Sequence, residues 1–71
     1  MTDVQELETY EYICMVNRYL FKEMEECTMM IQMLESHKLD PSEWKAKRAR
    51  LKTASNVNLD KLEIMLITLN L

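Results

Sequence analysis

The chain has 71 residues, of which 48% are hydrophobic and 30% charged, and its formal net charge is −3. A chain of this length forms one domain at most and buries only about 60% of its unfolded surface, so small domains often need a disulfide, a metal or a partner chain. The composition argues against disorder, and the mild negative charge gives no overall attraction to nucleic acid or to an acidic membrane.

The sequence has no glycine and one proline, so the backbone has few places where it can turn sharply. This predicts a single all-α domain over residues 1–71. The N-terminal residues are acidic and lack the basic and apolar regions of a signal peptide. The longest apolar run has five residues, 12–16, whereas a membrane span needs about 20. We expect a soluble, intracellular protein of the cytoplasm with no membrane partner.

The first predicted helix runs from about residue 3 to about residue 37. Asp3 and Glu6 form a capping-box pattern at its start, and Thr2 with Gln5 is an equally good alternative. Within this helix, residues 10–34 carry apolar side chains along one face and on both of its flanks. One partner requires an apolar arc of about 100°, and here roughly half of the circumference is apolar. The pattern therefore predicts more than one neighbour.

The two cysteines, Cys14 and Cys27, both fall on this helix. Thirteen residues of helix separate them by roughly 20 Å, which is too far for a disulfide within the chain. We interpret both as small apolar core residues in a reducing compartment. An intermolecular disulfide or a reactive thiol is the alternative.

A short turn is predicted before the single proline, Pro41. Asp40 is the expected N-cap of the second helix, Pro41 takes its first position, and Glu43 completes a capping box. The residue before a proline disfavours helix, so the first helix must end by residue 38 or 39. Because the turn is so short, the two helices should be antiparallel neighbours.

The second predicted helix covers about residues 41–69. Poor helix formers concentrate in residues 53–58, so a break near residues 55–58 is the alternative to a continuous or kinked helix. In a hairpin folded about residue 38 or 39, positions whose numbers add up to about 77 lie side by side. This register predicts that the basic residues 45–52 meet glutamates of the first helix.

Two helices cannot cover all of the apolar surface that the sequence encodes. Nine of the fifteen residues from 57 to 71 are apolar, and a large exposed apolar patch marks an interface. The economical solution is a two-fold dimer of antiparallel helical hairpins, which closes a four-helix bundle. The residues assigned to the dimer or to the hairpin core are Ile13, Leu20, Phe21, Met24, Ile31, Leu62, Ile64 and Ile67.

The sequence carries no recognisable catalytic arrangement. His37 is the only histidine and falls at a helix end, and Glu35 two residues away points to a different face. The cysteines and His37 lack the spacing of a zinc site, and a chain without glycine cannot form a phosphate-binding loop. We expect no enzymatic activity, no cofactor, no metal and no small-molecule substrate.

The basic segment, residues 45–52, supports an alternative function as a nucleic-acid-binding helical dimer. Its charges are spread around the helix, and no aromatic residue is interleaved with them for base stacking. We interpret the segment as a solvated face that glutamates neutralise. The residues that would contact nucleic acid are Lys45, Lys47, Arg48, Arg50 and Lys52.

The last informative feature of the sequence is its content of seven methionines and three tyrosines. Methionine fills gaps in cores and is also frequent on adaptable binding surfaces, and tyrosine is enriched in interfaces. The sequence therefore predicts a non-catalytic protein–protein interaction module, a homodimer that also binds an unidentified protein. It would act as an adaptor, an assembly subunit or an inhibitor of a larger protein, as many small viral proteins do. The predicted partner-binding residues are Tyr12, Met15, Tyr19, Met29 and Met33.

Overall fold

The computed structural model describes residues 4–69, which form two helices, α1 (Val4–Ser36) and α2 (Ser42–Leu69). The helices pack against each other along their length as an antiparallel hairpin, and the molecule measures 56 × 14 × 14 Å. The predicted all-α hairpin is thereby confirmed. The Asp3 cap of the first helix lies outside the described residues.

The second helix is continuous through the weak helix formers of residues 53–58. Ser55 is packed against α1 and is only 2% exposed, and the Thr53 hydroxyl donates to the Ala49 carbonyl at 3.1 Å. Packing against a neighbouring helix often outweighs low intrinsic propensity. The alternative of a break near residues 55–58 is therefore wrong.

Burial along both helices follows a seven-residue repeat with steps of three and four residues. This is the repeat of a left-handed coiled coil, in which the apolar seam stays turned towards the partner helix. Asn17 lies in the seam, and its neighbour Val16 is half-buried on the flank. The buried and half-buried seam residues are Tyr10, Ile13, Asn17, Leu20, Met24, Cys27, Ile31 and Leu34 of α1 and Trp44, Arg48, Leu51, Ser55, Asn58, Leu62 and Met65 of α2.

The hairpin has a thin core. Cys27 and Ile31 are the fully buried apolar residues of the described part, and Asn17 and Ser55 are the buried polar ones. Asn17 Oδ1 and Ser55 Oγ have no hydrogen-bond partner. Burying such a group without a partner costs about 1–3 kcal/mol. One hairpin alone therefore encloses little apolar surface and carries two unfavourable polar burials.

The first helix ends in a Schellman motif that contains no glycine. The Leu39 N–H donates to the Leu34 carbonyl at 2.8 Å, and the Lys38 N–H donates to the Glu35 carbonyl at 3.1 Å. Lys38 has a φ of 57°, the left-handed conformation that glycine adopts most easily. This conformation costs a residue with a Cβ about 1–2 kcal/mol.

Asp40 caps the second helix, as predicted. The Ser42 hydroxyl and the Ser42 N–H both donate to Asp40 Oδ1. These two hydrogen bonds, followed by the charge of Lys45, hold the pKa of Asp40 below its ordinary value. No hydrogen bond returns from the Glu43 side chain to Asp40 within residues 4–69, so the capping-box part of the prediction is wrong.

Candidate interaction surfaces

An ion pair between the helices marks one side of the hairpin. Lys47 Nζ lies 3.8 Å from Glu23 Oε2 and 5.2 Å from the centre of the Trp44 ring. Val16 and Lys61 lie seven and fourteen positions from this pair and therefore on the same side, because both helices follow the seven-residue repeat. The residues one helical turn before and after them, at spacings of three or four, lie beside them on this side. We call this surface the tyrosine side and define it by Tyr12, Val16, Tyr19, Val57, Lys61 and Ile64.

A hydrogen bond between the helices marks the opposite side. Arg48 Nη1 donates to Thr28 Oγ1 at 3.1 Å. Phe21 and Cys14 precede Thr28 by one and two repeats and therefore lie on the same side. We call this surface the phenylalanine side and define it by Leu7, Cys14, Phe21, Leu59 and Leu66.

The tyrosine side is the more exposed of the two. Tyr12, Tyr19 and Ile64 are 62%, 60% and 63% exposed. Lys61 is the one charged residue of the six that define this side, and it lies between Val57 and Ile64 on α2. An exposed apolar surface of this kind indicates a contact site.

The phenylalanine side is smaller and has charged edges. Leu7 and Cys14 are half-buried, whereas Phe21, Leu59 and Leu66 are exposed. Glu11 on α1 and Glu63 on α2 are exposed and border this side. Both sides have most of their apolar residues in the half of the hairpin away from the turn, which we call the open half (residues 4–19 and 56–69).

All five predicted partner-binding residues are exposed, but they do not form one surface. Tyr12, Met15 and Tyr19 lie in the open half, whereas Met29 and Met33 lie nearer the turn. The charged residues Lys22, Glu23 and Glu26 separate the two groups along the helix. Their role in partner binding stays a prediction, and the structure divides them between two regions of α1.

The residues assigned to the dimer or the core divide into two groups. Five of them lie in the seam: Ile13, Leu20, Met24, Ile31 and Leu62. The other three, Phe21, Ile64 and Ile67, are exposed and take no part in the hairpin core. They contribute to the surface that is left for another chain.

The basic segment meets fewer glutamates than its register suggested. Lys47–Glu23 is the only ion pair within the described residues, so the expected residue-for-residue neutralisation is wrong. The seam position of Arg48 directs its side chain to Thr28, and the exposed Lys45 and Lys52 lie on the phenylalanine side. Arg50 is exposed on the other side, so the positive charges are divided between two surfaces.

Three exposed apolar residues of these surfaces were missing from the predicted interaction residues, namely Val57, Leu59 and Leu66. The signal that identifies them is spacing, because Val57 and Ile64 lie one repeat apart, as do Leu59 and Leu66. This signal becomes readable once the seam is known to follow a seven-residue repeat.

The remaining reactive side chains are not brought together. Cys14 and Cys27 are free thiols, and burial beside Cys14 raises the pKa of the Tyr10 hydroxyl, as do its charge interaction and hydrogen bond with that thiol. His37 Nδ1 lies 2.8 Å from the Met33 carbonyl oxygen at the end of α1. Among residues 4–69, no three His, Cys, Asp or Glu side chains converge as metal ligands would, and neither helix has the length and apolarity of a membrane span.

Comparison with protein-family models, curated proteins and solved structures finds no match to this chain. Its function is therefore argued from the two sides of the hairpin.

Proposed function

We propose that this protein is a small non-catalytic interaction module that forms a homodimer and binds a larger protein. The observation that supports this proposal is the large surface that one hairpin exposes, which includes apolar side chains such as Tyr12, Tyr19 and Ile64. The accessible surface is 5685 Å², whereas a compact monomer of this mass exposes about 4,700 Å². The excess of about 1,000 Å² exceeds the roughly 800 Å² that each partner buries in a standard protein interface.

A second copy is the economical way to cover this surface. Stacking two hairpins would thicken the rod and bury the apolar residues of one side of each. It would also enclose more of the seam, which in one hairpin has only two fully buried apolar residues in the described part. The other side would remain available to a different protein, which suits an adaptor, an assembly subunit or an inhibitor.

Sedimentation equilibrium at micromolar concentration tests the dimer. We expect a mass twice that of the 8.5 kDa chain, together with the circular dichroism spectrum of a helical protein. A folded helical monomer under these conditions would contradict the proposal.

A pull-down from lysate with and without nuclease then tests the partner, because recovery of one protein in both arms supports protein binding.

The alternative, nucleic-acid binding, draws on one observation. Arg50 and Lys52 form no ion pair within the described residues, so their charges are free to contact phosphates. A gel shift with mixed RNA and duplex DNA over about 50–300 mM salt tests it, because phosphate contacts weaken steeply as salt rises. Binding that is absent, or that does not depend on salt, rejects this alternative.

A further inference from the structure

The pattern of exposed apolar residues on the tyrosine side, Lys61 apart, is complementary to itself. We propose that two copies dimerise through this side with both turns at the same end, so that the two-fold axis runs along the helices. This inference rests on the homodimer proposed above. It adds which surface is buried, how the two copies are oriented and which surface stays free.

The register of the two helices within one hairpin determines which residues of two copies lie beside each other. The residue numbers of the helix ends at the turn, Ser36 and Ser42, add up to 78, and those of the hydrogen-bonded pair Arg48 and Thr28 add up to 76. The ion pair Lys47–Glu23, with a sum of 70, joins side chains about two helical turns out of this register. Rotation about an axis parallel to the helices does not shift a copy along that axis. The first helix of one copy therefore lies against the second helix of the other in the same antiparallel register, with paired numbers again adding up to about 76.

This register pairs apolar residues with apolar residues. Tyr12 of one copy lies beside Ile64 of the second copy. One repeat further towards the turn, Tyr19 lies beside Val57 of the second copy. Each pair occurs twice by symmetry, and all four residues are exposed in the single hairpin. Aromatic side chains in contact with branched aliphatic ones form the central part of many protein interfaces.

One repeat beyond Tyr19 towards the turn, the same register pairs opposite charges. Glu26 of one copy lies beside Arg50 of the second copy, and both side chains are exposed in the single hairpin. Neither forms an ion pair within the described residues. Opposite charges at the edge of an interface set orientation and exclude wrong arrangements more than they add affinity.

An arrangement with the turns at opposite ends lacks this complementarity. When the two hairpins overlap fully in that orientation, Tyr12 faces either Glu26 or Arg50 of the second copy, depending on which helix it meets. Ile64 then faces the other of these two charges. Such a dimer buries charged groups against apolar ones, which is costly because the charges lose water and gain no partner.

The phenylalanine side is not self-complementary about the same axis. Glu11 and Glu63 border it at nearly the same height along the rod, so self-association would bring Glu11 of one copy close to Glu63 of the second copy. Like charges in an interface oppose association. This side therefore remains on the outside of the dimer, where Phe21, Leu59 and Leu66 are accessible to the larger protein.

A matched pair of substitutions on α2 tests which side is buried. Ile64→Glu places a charge in the proposed interface, and Leu66→Glu places the same charge on the phenylalanine side, two residues away on the same helix. Both original side chains are exposed in the hairpin, at 63% and 39%, so both variants should stay helical. We expect Ile64→Glu to weaken dimerisation at least about tenfold and Leu66→Glu to leave it unchanged.

The outcomes separate this inference from the proposed function. If the wild-type chain is a dimer and Leu66→Glu dissociates it as strongly as Ile64→Glu, or more strongly, the assignment of the tyrosine side is wrong and the dimer stands. If the wild-type chain is a folded monomer, the dimer itself is wrong.

Disulfide cross-linking tests the orientation without relying on a destabilised variant. In a Cys14→Ser background, Cys27 is fully buried and protected from oxidation. We expect a mixture of Tyr19→Cys and Val57→Cys chains to form mainly a disulfide between the two variants. Tyr19→Cys chains that cross-link to one another more readily would show that the turns lie at opposite ends. As a control, Phe21→Cys mixed with Leu59→Cys should give no dimer band.

Discussion

Ser55 shows how a single buried residue limits the stability of this hairpin. Its hydroxyl is enclosed between the helices without a hydrogen-bond partner. We expect Ser55→Ala to raise the free energy of unfolding by about 1–2 kcal/mol, because the uncompensated hydroxyl is removed and alanine is the better helix former. Urea unfolding at fixed protein concentration measures the change.

The exposed neighbour Asn56 provides the control for Ser55. Asn56→Ala improves helix propensity alone, so its gain should be limited to roughly 0.5 kcal/mol. Equal gains from the two substitutions would mean that the buried hydroxyl carries no penalty.

Asp40 is expected to make part of the stability depend on pH. Its pKa is lowered in the folded chain by the Ser42 hydroxyl and the Ser42 N–H. The contribution is therefore present above the ordinary value of 3.8 and is lost as the pH falls through the lowered value. Asp40→Asn keeps an oxygen for the Ser42 N–H but does not titrate.

Thermal unfolding of the wild-type and Asp40→Asn chains between pH 7 and pH 2 tests this expectation. The wild-type chain should be the more stable one at pH 7, and the difference should shrink towards zero in acid. A difference that stays constant across this range would show that ionised Asp40 contributes no charge-dependent stability.

At the scale of the helices, the end of α1 has a strained backbone conformation that a substitution can relieve. Lys38 holds the left-handed conformation at the position where a Schellman motif usually has glycine. We expect Lys38→Gly to raise the free energy of unfolding by about 0.5–1 kcal/mol, since the gain in the folded chain exceeds the entropy that glycine adds to the unfolded one.

Lys38→Ala separates conformation from charge in the same urea experiment. It removes the positive charge and keeps the Cβ, so it should not stabilise the hairpin. A gain as large as that of Lys38→Gly would attribute the effect to charge instead of backbone conformation.

The helices and the turn between them could be predicted from local chemistry. The lack of glycine, the Asp40–Pro41 pair and the apolar spacing each depend on residues close together in the sequence. The seam residues were harder to predict. A straight helix with 3.6 residues per turn places Val16 on the face towards the neighbour. Two supercoiled helices follow a repeat of 3.5 and place Asn17 there instead. The same change of repeat places Arg48 in the seam and leaves Lys47–Glu23 as the single ion pair of the described part.

At the scale of the molecule, the sequence predicted an excess of apolar surface but not how it is divided. Tyr12 and Ile64 are far apart in the chain, and their common side follows only from the register of two helices. The division between the tyrosine and phenylalanine sides therefore depends on how the two helices pack, which local sequence does not determine.

The proposed dimer predicts a melting temperature that depends on protein concentration. Unfolding that is coupled to dissociation is opposed by mass action, so the melting temperature should rise over a hundredfold increase in concentration. Ile64→Glu should lose most of this dependence, and Leu66→Glu should keep it. A wild-type melting temperature that does not change over this range would indicate an independently stable monomer.

The thin core has a consequence for the lifetime of the chain in a cell. Proteases cut chains in proportion to the time that they spend open, when opening is fast relative to cleavage. A hairpin with two fully buried apolar residues in its described part opens often unless another chain covers it. The proposed dimer therefore predicts that single copies are degraded first and that the protein persists mainly in its assembled form.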